Sequence, residues 1–146
     1  MVKKLVIFMV GLGLVLLLVN VGMAQDMNPK VKEMLASAKA AIKTVPAETV
    51  KAAIDSKEKA VLLDVRDGGE FAAGRLPGAM NISRGTLEFN VAAKIPDQNA
   101  RIYVDCKSAG RATLATKTLN DLGFKNAVLM DSSYENWVKA GYPVER

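Results

Sequence analysis

The chain has 146 residues, a formal net charge of +5, one cysteine and no histidine, and at that length one hydrophobic core buries enough surface to fold unaided. Without histidine, Ser/His/Asp and Cys/His catalysis and every histidine-ligated metal site are excluded, so any chemistry must proceed without an imidazole base. The lone Cys106 cannot form an internal disulfide, which leaves it buried and inert, paired between chains, or free and reactive.

The first segment, residues 1–24, carries Lys3 and Lys4, an apolar run from Leu5 to Val19 and the small-residue pattern Gly22-Met23-Ala24. This layout predicts a secretory signal peptide cleaved after Ala24, and hence an exported, periplasmic or secreted protein. Loss of Lys3 and Lys4 would lower the charge from +5 to +3, a balance that gives no support to nucleic-acid binding. The alternative is an uncleaved membrane anchor, since about 20 apolar residues can cross a bilayer.

Residues 25–41 read as a short helix or linker. Val31, Met34, Leu35, Ala38 and Ile42 recur at helical spacing over a helix predicted from Asn28 to Ala40. From residue 42 to the end, short β-rich runs alternate with helical stretches, which predicts an α/β domain with an open, mainly parallel sheet covered by helices on both faces. The strands are predicted at Ile42 to Val45, Ala60 to Val65, Ala79 to Ile82, Arg101 to Asp105 and Ala127 to Met130, mostly the short apolar runs of a doubly covered sheet.

Pro46 opens a predicted helix over Ala47 to Asp55 at its first turn, where a missing N–H costs nothing. A second helix, Arg111 to Leu122, repeats apolar residues at Ala112, Ala115, Leu119 and Leu122, with Gly123 where a left-handed cap falls. Ser132-Ser133-Tyr134-Glu135 offers a capping box for a last helix ending near Gly141 and Pro143.

The chemistry concentrates where the predicted strand ending at Asp105 meets Cys106-Lys107-Ser108-Ala109-Gly110-Arg111 and then a helix. At the C-terminal edge of an open parallel sheet, backbone N–H groups of the turn and the first helical turn converge on a bound ligand. Helix N-termini and nearby cations lower a thiol pKa from about 8.5 to roughly 3.5–7.5, so this loop favours a thiolate, with Lys107 and Arg111 adding positive charge. It also suits an oxyanion such as a sulfonate, or the outer sulfur of a persulfide. If the carboxylate of Asp105 turned toward the cysteine it would oppose the thiolate, and alternation leaves its direction open.

Three stretches in order resemble the rhodanese family over nearly all of Ile42 to Val144. They are Leu62-Leu63-Asp64-Val65-Arg66 with Glu70-Phe71 and Gly74-Arg75-Leu76-Pro77-Gly78-Ala79-Met80-Asn81-Ile82, the loop Cys106 to Arg111, and Gly123 to Ala127 with Trp137 to Val144. The resemblance implies a rhodanese-like fold and a sulfurtransferase. Cys106 would attack the outer sulfur of thiosulfate or polysulfide, carry it as a persulfide and pass it to a thiol or cyanide. Lys107, Ser108, Ala109, Gly110 and Arg111 would bind the donor, with no metal or organic cofactor. Related phosphatases of the fold place one more residue between cysteine and arginine than the four found here, so the short loop is sized for sulfur.

Departures from the family pattern are Ala109 where glycine is common, with Gly110 expected to supply the flexibility, Arg75 where histidine is frequent, and Ser132-Ser133 in place of a glycine pair. Asp64, Arg66 and Glu70 are read as a fold-fixing set, because buried charge must be paired. Trp137 and Phe124 are read as core, and Pro77-Gly78 as a structural turn. The competing readings are a sulfur-carrying or partner-docking module without turnover, and a phosphatase or arsenate reductase on the same fold.

Overall fold

The computed structural model describes residues 27–146; the predicted leader over residues 1–24 lies outside them. The first helix, α1 (Pro29–Ala40), starts one residue after Asn28, whose side chain caps it by accepting from Lys30 N–H at 2.8 Å. The remaining strands and α-helices are β1 (Thr44–Val45), α2 (Ala47–Asp55), β2 (Ala60–Asp64), α3 (Gly68–Ala73), β3 (Met80–Asn81), α4 (Leu87–Lys94), β4 (Arg101–Asp105), α5 (Gly110–Asp121), β5 (Ala127–Met130) and α6 (Tyr134–Lys139).

The five strands form one sheet in the order β1-β5-β4-β2-β3, and every pairing is parallel. All five predicted strands are present. The edge strands are shorter than predicted, β1 lacking Ile42 and Lys43 and β3 lacking Ala79 and Ile82, because a strand with one neighbour has fewer ladder bonds to extend it.

Alternation along the strands divides the interior into two layers. Leu63, Ile102, Val104, Ala127 and Leu129 face Leu87 and Val91 of α4 and Ala112, Ala115 and Leu119 of α5. Leu62, Tyr103, Val128 and Met130 face Val50 and Ala53 of α2 and Trp137 of α6. Helices therefore cover both faces. Trp137 and Phe124 are core as expected, and the indole Nε1–H donates to Pro143 O at 2.9 Å, as a buried indole requires.

α1 does not hang free but packs along α5, burying Ala38 and pairing Lys39 with Asp131 at 2.7 Å. α5 ends as predicted. Gly123 turns left-handed at φ 102°, and Phe124 N–H reaches back to Leu119 O at 2.9 Å, closing a Schellman cap. α2 has the predicted span, Ala47–Asp55, with Pro46 as its N-cap. One local expectation is corrected. Ser133, not Ser132, caps α6, its hydroxyl accepting from Asn136 N–H at 3.1 Å; one residue of extended chain at Ser133 shifts the helix start and leaves Glu135 outside a capping box.

The connections make a topological switch point. From β2 the chain leads outward to β3, and from β4 it leads the other way to β5, although β2 and β4 are neighbours. In open parallel sheets the crevice beyond the carboxyl ends of such a strand pair is where ligands bind. The segments that leave those two ends are Val65 to Asp67 and Cys106 to Ala109.

Candidate active site

Cys106 follows β4 directly and continues its alternation, sharing the α5 side of the sheet with Ile102 and Val104. It is 1% exposed, and its Sγ accepts the backbone N–H of Ala112, in the first turn of α5, at 3.3 Å. The sulfur thus sits at the positive end of a 12-residue helix. Its backbone is held from the other side, where Tyr134 N–H of α6 donates to Cys106 O at 3.0 Å.

Lys107 and Ser108 are exposed, while Ala109, Gly110 and Arg111 are half-buried. The left-handed residue of the loop is Ala109 (φ 70°, ψ −22°), the N-cap of α5. This corrects the expectation that Gly110 supplies the flexibility: Gly110 is the first helical residue and does not have positive φ. Ala109 is held there because its carbonyl accepts both Thr113 N–H at 2.8 Å and Thr113 Oγ1–H at 2.9 Å. A β-carbon in that conformation costs roughly 1–2 kcal/mol. Ala109→Gly is therefore expected to raise unfolding stability by about 1 kcal/mol, read from urea-denaturation midpoints; an unchanged or lower midpoint would mean that the loop is not strained at this residue.

Arg111 does not point freely across the loop. Its Nη1 and Nη2 clamp the Glu70 carboxylate of α3 at 2.7 and 2.9 Å, with Asp67 at 3.6 Å, and it interacts electrostatically with Cys106. Glu70, read from sequence as part of a set with Asp64 and Arg66, instead ties the β2 end of the crevice to the cysteine loop. The Arg111 guanidinium, helped by the Asp67 N–H at 3.2 Å, pulls the Glu70 carboxyl down to about 2.

A depressed carboxyl stabilises the fold above its unfolded pKa, and that contribution disappears as pH falls through the folded value. The stability gap between wild type and Glu70→Gln should thus be constant above about pH 5 and close between the ordinary 4.5 and about 2. Denaturation at stepped pH measures it, and a gap that persists to the lowest pH would contradict the pairing.

Asp64 and Arg66 do form the expected fold-fixing pair. The Arg66 guanidinium binds Asp64 through Nε and Nη2 at 2.6–3.0 Å, donates to Gly74 O at 2.6 Å and lies 4.0 Å from the centroid of the Tyr134 ring. Asn81 Nδ2 bridges the carbonyls of Asp64 and Arg66 at 2.9 Å each. The end of β2 is therefore rigid beneath the crevice.

Asp105 shares a register pair and a sheet face with Asp64, opposite the face that carries Cys106. Its carboxyl is fully buried, and among the described residues neither oxygen has a hydrogen-bond partner. Burial pushes it well above the ordinary 3.8, the neighbouring Asp64 charge adds to the shift, and Arg66 opposes it. The carboxyl that the sequence placed next to the thiol thus points away from it.

Two hollows flank the loop. One of about 280 Å³ is lined by Arg66, Glu70, Lys107, Tyr134 and Glu135, and one of about 370 Å³ by Ser108, Ala109, Asp131, Ser133 and Glu135. Glu135, expected from sequence only as a helix-cap residue, lines both. Its place follows from the Tyr134 N–H bond to Cys106, which brings the first turn of α6 against the loop. A larger hollow of about 530 Å³ sits at the other end of the sheet, against Ala60 and Arg101, and has no cysteine, serine or threonine in its lining.

A parallel sheet with a cysteine loop at its switch point, entering a helix whose first turn donates to the sulfur, defines an α/β domain with a candidate cysteine nucleophile at its ligand-binding edge. Residues 46–140 match the rhodanese-like domain model, and the chain belongs to the rhodanese-like sulfurtransferase family. It is 32% identical over 89 residues to the thiosulfate sulfurtransferase GlpE of Pseudomonas putida, covering 61% of this chain and 78% of GlpE. It is 30% identical over 96 residues to YrkF of Bacillus subtilis, a candidate sulfur carrier protein, covering 66% of this chain and about half (51%) of YrkF. Among solved structures, RPA3614 of Rhodopseudomonas palustris CGA009, described as a protein of unknown function and possible tyrosine phosphatase, superposes with a TM-score of 0.75 at 28% identity over 85% of this chain and 100% of its own.

Proposed function

We propose that the protein is an exported sulfurtransferase that moves a sulfane sulfur from thiosulfate or polysulfide to a thiophilic acceptor through a persulfide on Cys106. The observation that carries the reading is the Ala112 N–H on Cys106 Sγ at the start of α5, because a backbone donor at a helix N-terminus holds either a thiolate or the anion of a persulfide. Cys106 thiolate attacks the outer sulfur of thiosulfate, the Sγ–S bond forms as the S–S bond breaks, and sulfite leaves with the electron pair. A thiol or cyanide then removes the sulfur and restores the thiolate, a two-step covalent exchange that needs no imidazole.

Lys107, Ser108, Ala109, Gly110 and Arg111 form the donor-binding loop in this reading, and no metal or organic cofactor takes part. Arg111 acts through a guanidinium fixed by Glu70, so it contributes a positioned positive charge rather than a mobile arm. With Cys106 1% exposed, the loop parts to admit a donor. The leader over 1–24 directs export or, uncleaved, anchors the protein; a 25–41 segment then precedes a 42–146 rhodanese-like domain. N-terminal sequencing of protein recovered from the periplasm and from membranes tests this placement.

The activity test is thiocyanate production from cyanide with thiosulfate and with polysulfide as donors. Turnover with either supports the enzyme. Stoichiometric sulfur loading without discharge would instead favour the carrier reading, which the buried cysteine and the likeness to YrkF keep in play. Hydrolysis of an aryl phosphate, the reading suggested by the description of RPA3614, is not expected, since the loop has four residues between Cys106 and Arg111.

A further inference from the structure

The whole chain is basic, at +5, yet the mouth of the cysteine loop is not. The two loop cations face three carboxylates: Arg111 binds Glu70 and lies 3.6 Å from Asp67, and Lys107 lies 3.7 Å from Glu135. Just below, Arg66 is matched by Asp64. The hollow on the far side of the loop has no lysine or arginine in its lining, only Asp131 and Glu135 among charged residues, and the cation paired with Asp131 is Lys39 of α1. Glu135 is common to both hollows, so a donor entering along either side of Lys107 passes that carboxylate. Its backbone is held beside the loop, because its neighbour Tyr134 donates its N–H to Cys106 O at 3.0 Å, and its half-exposed side chain pairs with Lys107 at 3.7 Å.

A mouth without net positive charge opposes a dianion and is indifferent to a neutral molecule. We infer that Glu135 is a specificity-determining charge filter, which biases the site toward sulfane donors of low charge, the hydropersulfides RSSH and RSS⁻, over the thiosulfate dianion. The inference rests on the persulfide reading above and narrows it. The step balances as Cys106 thiolate plus RSSH giving the Cys106 persulfide anion plus RSH: the Sγ–S bond forms, the RS–S bond breaks, and the departing thiolate keeps the bonding pair and takes the proton. No oxidant or reductant is consumed.

The test compares wild type with Glu135→Gln and Glu135→Lys, measuring kcat/KM for thiosulfate and for an alkyl hydropersulfide generated in situ, each with cyanide as acceptor. Asp97→Lys, at the opposite end of the sheet, controls for net charge. Removing the carboxylate should raise kcat/KM for thiosulfate about tenfold at low salt, and reversing it about a hundredfold, mainly through KM. The hydropersulfide value should move less than about threefold. In Glu135→Lys the thiosulfate rate should fall with added salt, while in wild type it should not.

Thiosulfate values within twofold of wild type in both variants, parallel changes for both donors, or an equal gain in Asp97→Lys would overturn the filter while leaving sulfur transfer intact. Absence of Cys106 persulfide with every donor in wild type would overturn the persulfide reading itself and the filter with it.

Discussion

Cys106→Ser is expected to lower thiocyanate formation by more than about a thousandfold while the protein still folds. Serine keeps the oxygen analogue of the acceptor that Ala112 N–H now meets at 3.3 Å, so the buried donor is not left unsatisfied and the melting temperature should shift by no more than about 5 °C. The hydroxyl cannot store a sulfane sulfur, and no histidine exists in the chain to activate it. Thiocyanate assays beside thermal melts separate the two effects. Turnover retained in a folded serine variant would remove the covalent mechanism, whereas a variant that fails to fold would show that the thiol is needed for packing.

Asp105→Asn should make the protein more stable at neutral pH, by about 1–3 kcal/mol. The carboxyl is fully buried, with both oxygens unpartnered among the described residues, beside Asp64 and under the influence of Arg66, and leaving buried polar atoms unsatisfied carries a penalty of that size. An amide removes the titration and can donate toward the Asp64 carboxylate. The pH dependence follows from the raised pKa. In the unfolded chain the aspartate ionises near the ordinary 3.8, while in the fold it holds its proton to a much higher pH, so between those values the unfolded state is favoured increasingly as pH rises. The advantage of Asp105→Asn should therefore be small near pH 4 and grow toward neutrality. Denaturant titrations at pH 4, 5.5 and 7.5 measure it, and a variant less stable than wild type at pH 7.5 would mean that the carboxylate has a supporting partner.

The same residue shows where sequence reading stops. The three central strands were legible because β2, β4 and β5 are apolar on both sides, as a doubly covered sheet demands. That property also hides direction, since with Tyr103 facing one layer and Ile102 and Val104 the other, no polar face existed against which to orient Asp105. α5 and its Gly123 cap were readable from period and punctuation. α3 opens on Gly68-Gly69 and has no buried residue, and α4 buries only Leu87 and Val91, so neither carries a helical stripe strong enough to place.

At the site, the Cys106 to Arg111 spacing was legible, but its supports are not local. The Glu70 clamp on Arg111 spans 41 residues, and Glu135 reaches the loop only because α6 follows β5 back to the same sheet edge. Ala109 could not be distinguished from Gly110 as the left-handed residue, since sequence favours glycine wherever φ is positive and the structure places the turn one residue earlier.

Sulfur loading of Cys106 is read from the intact mass of the purified protein after incubation with thiosulfate, polysulfide or an alkyl hydropersulfide, and again after cyanide, with Cys106→Ser alongside. A persulfide on Cys106 gives a gain of about 32 Da, one sulfur atom, on wild type alone, lost with cyanide as thiocyanate appears. Unchanged mass with every donor, or the same gain on the serine variant, would contradict it.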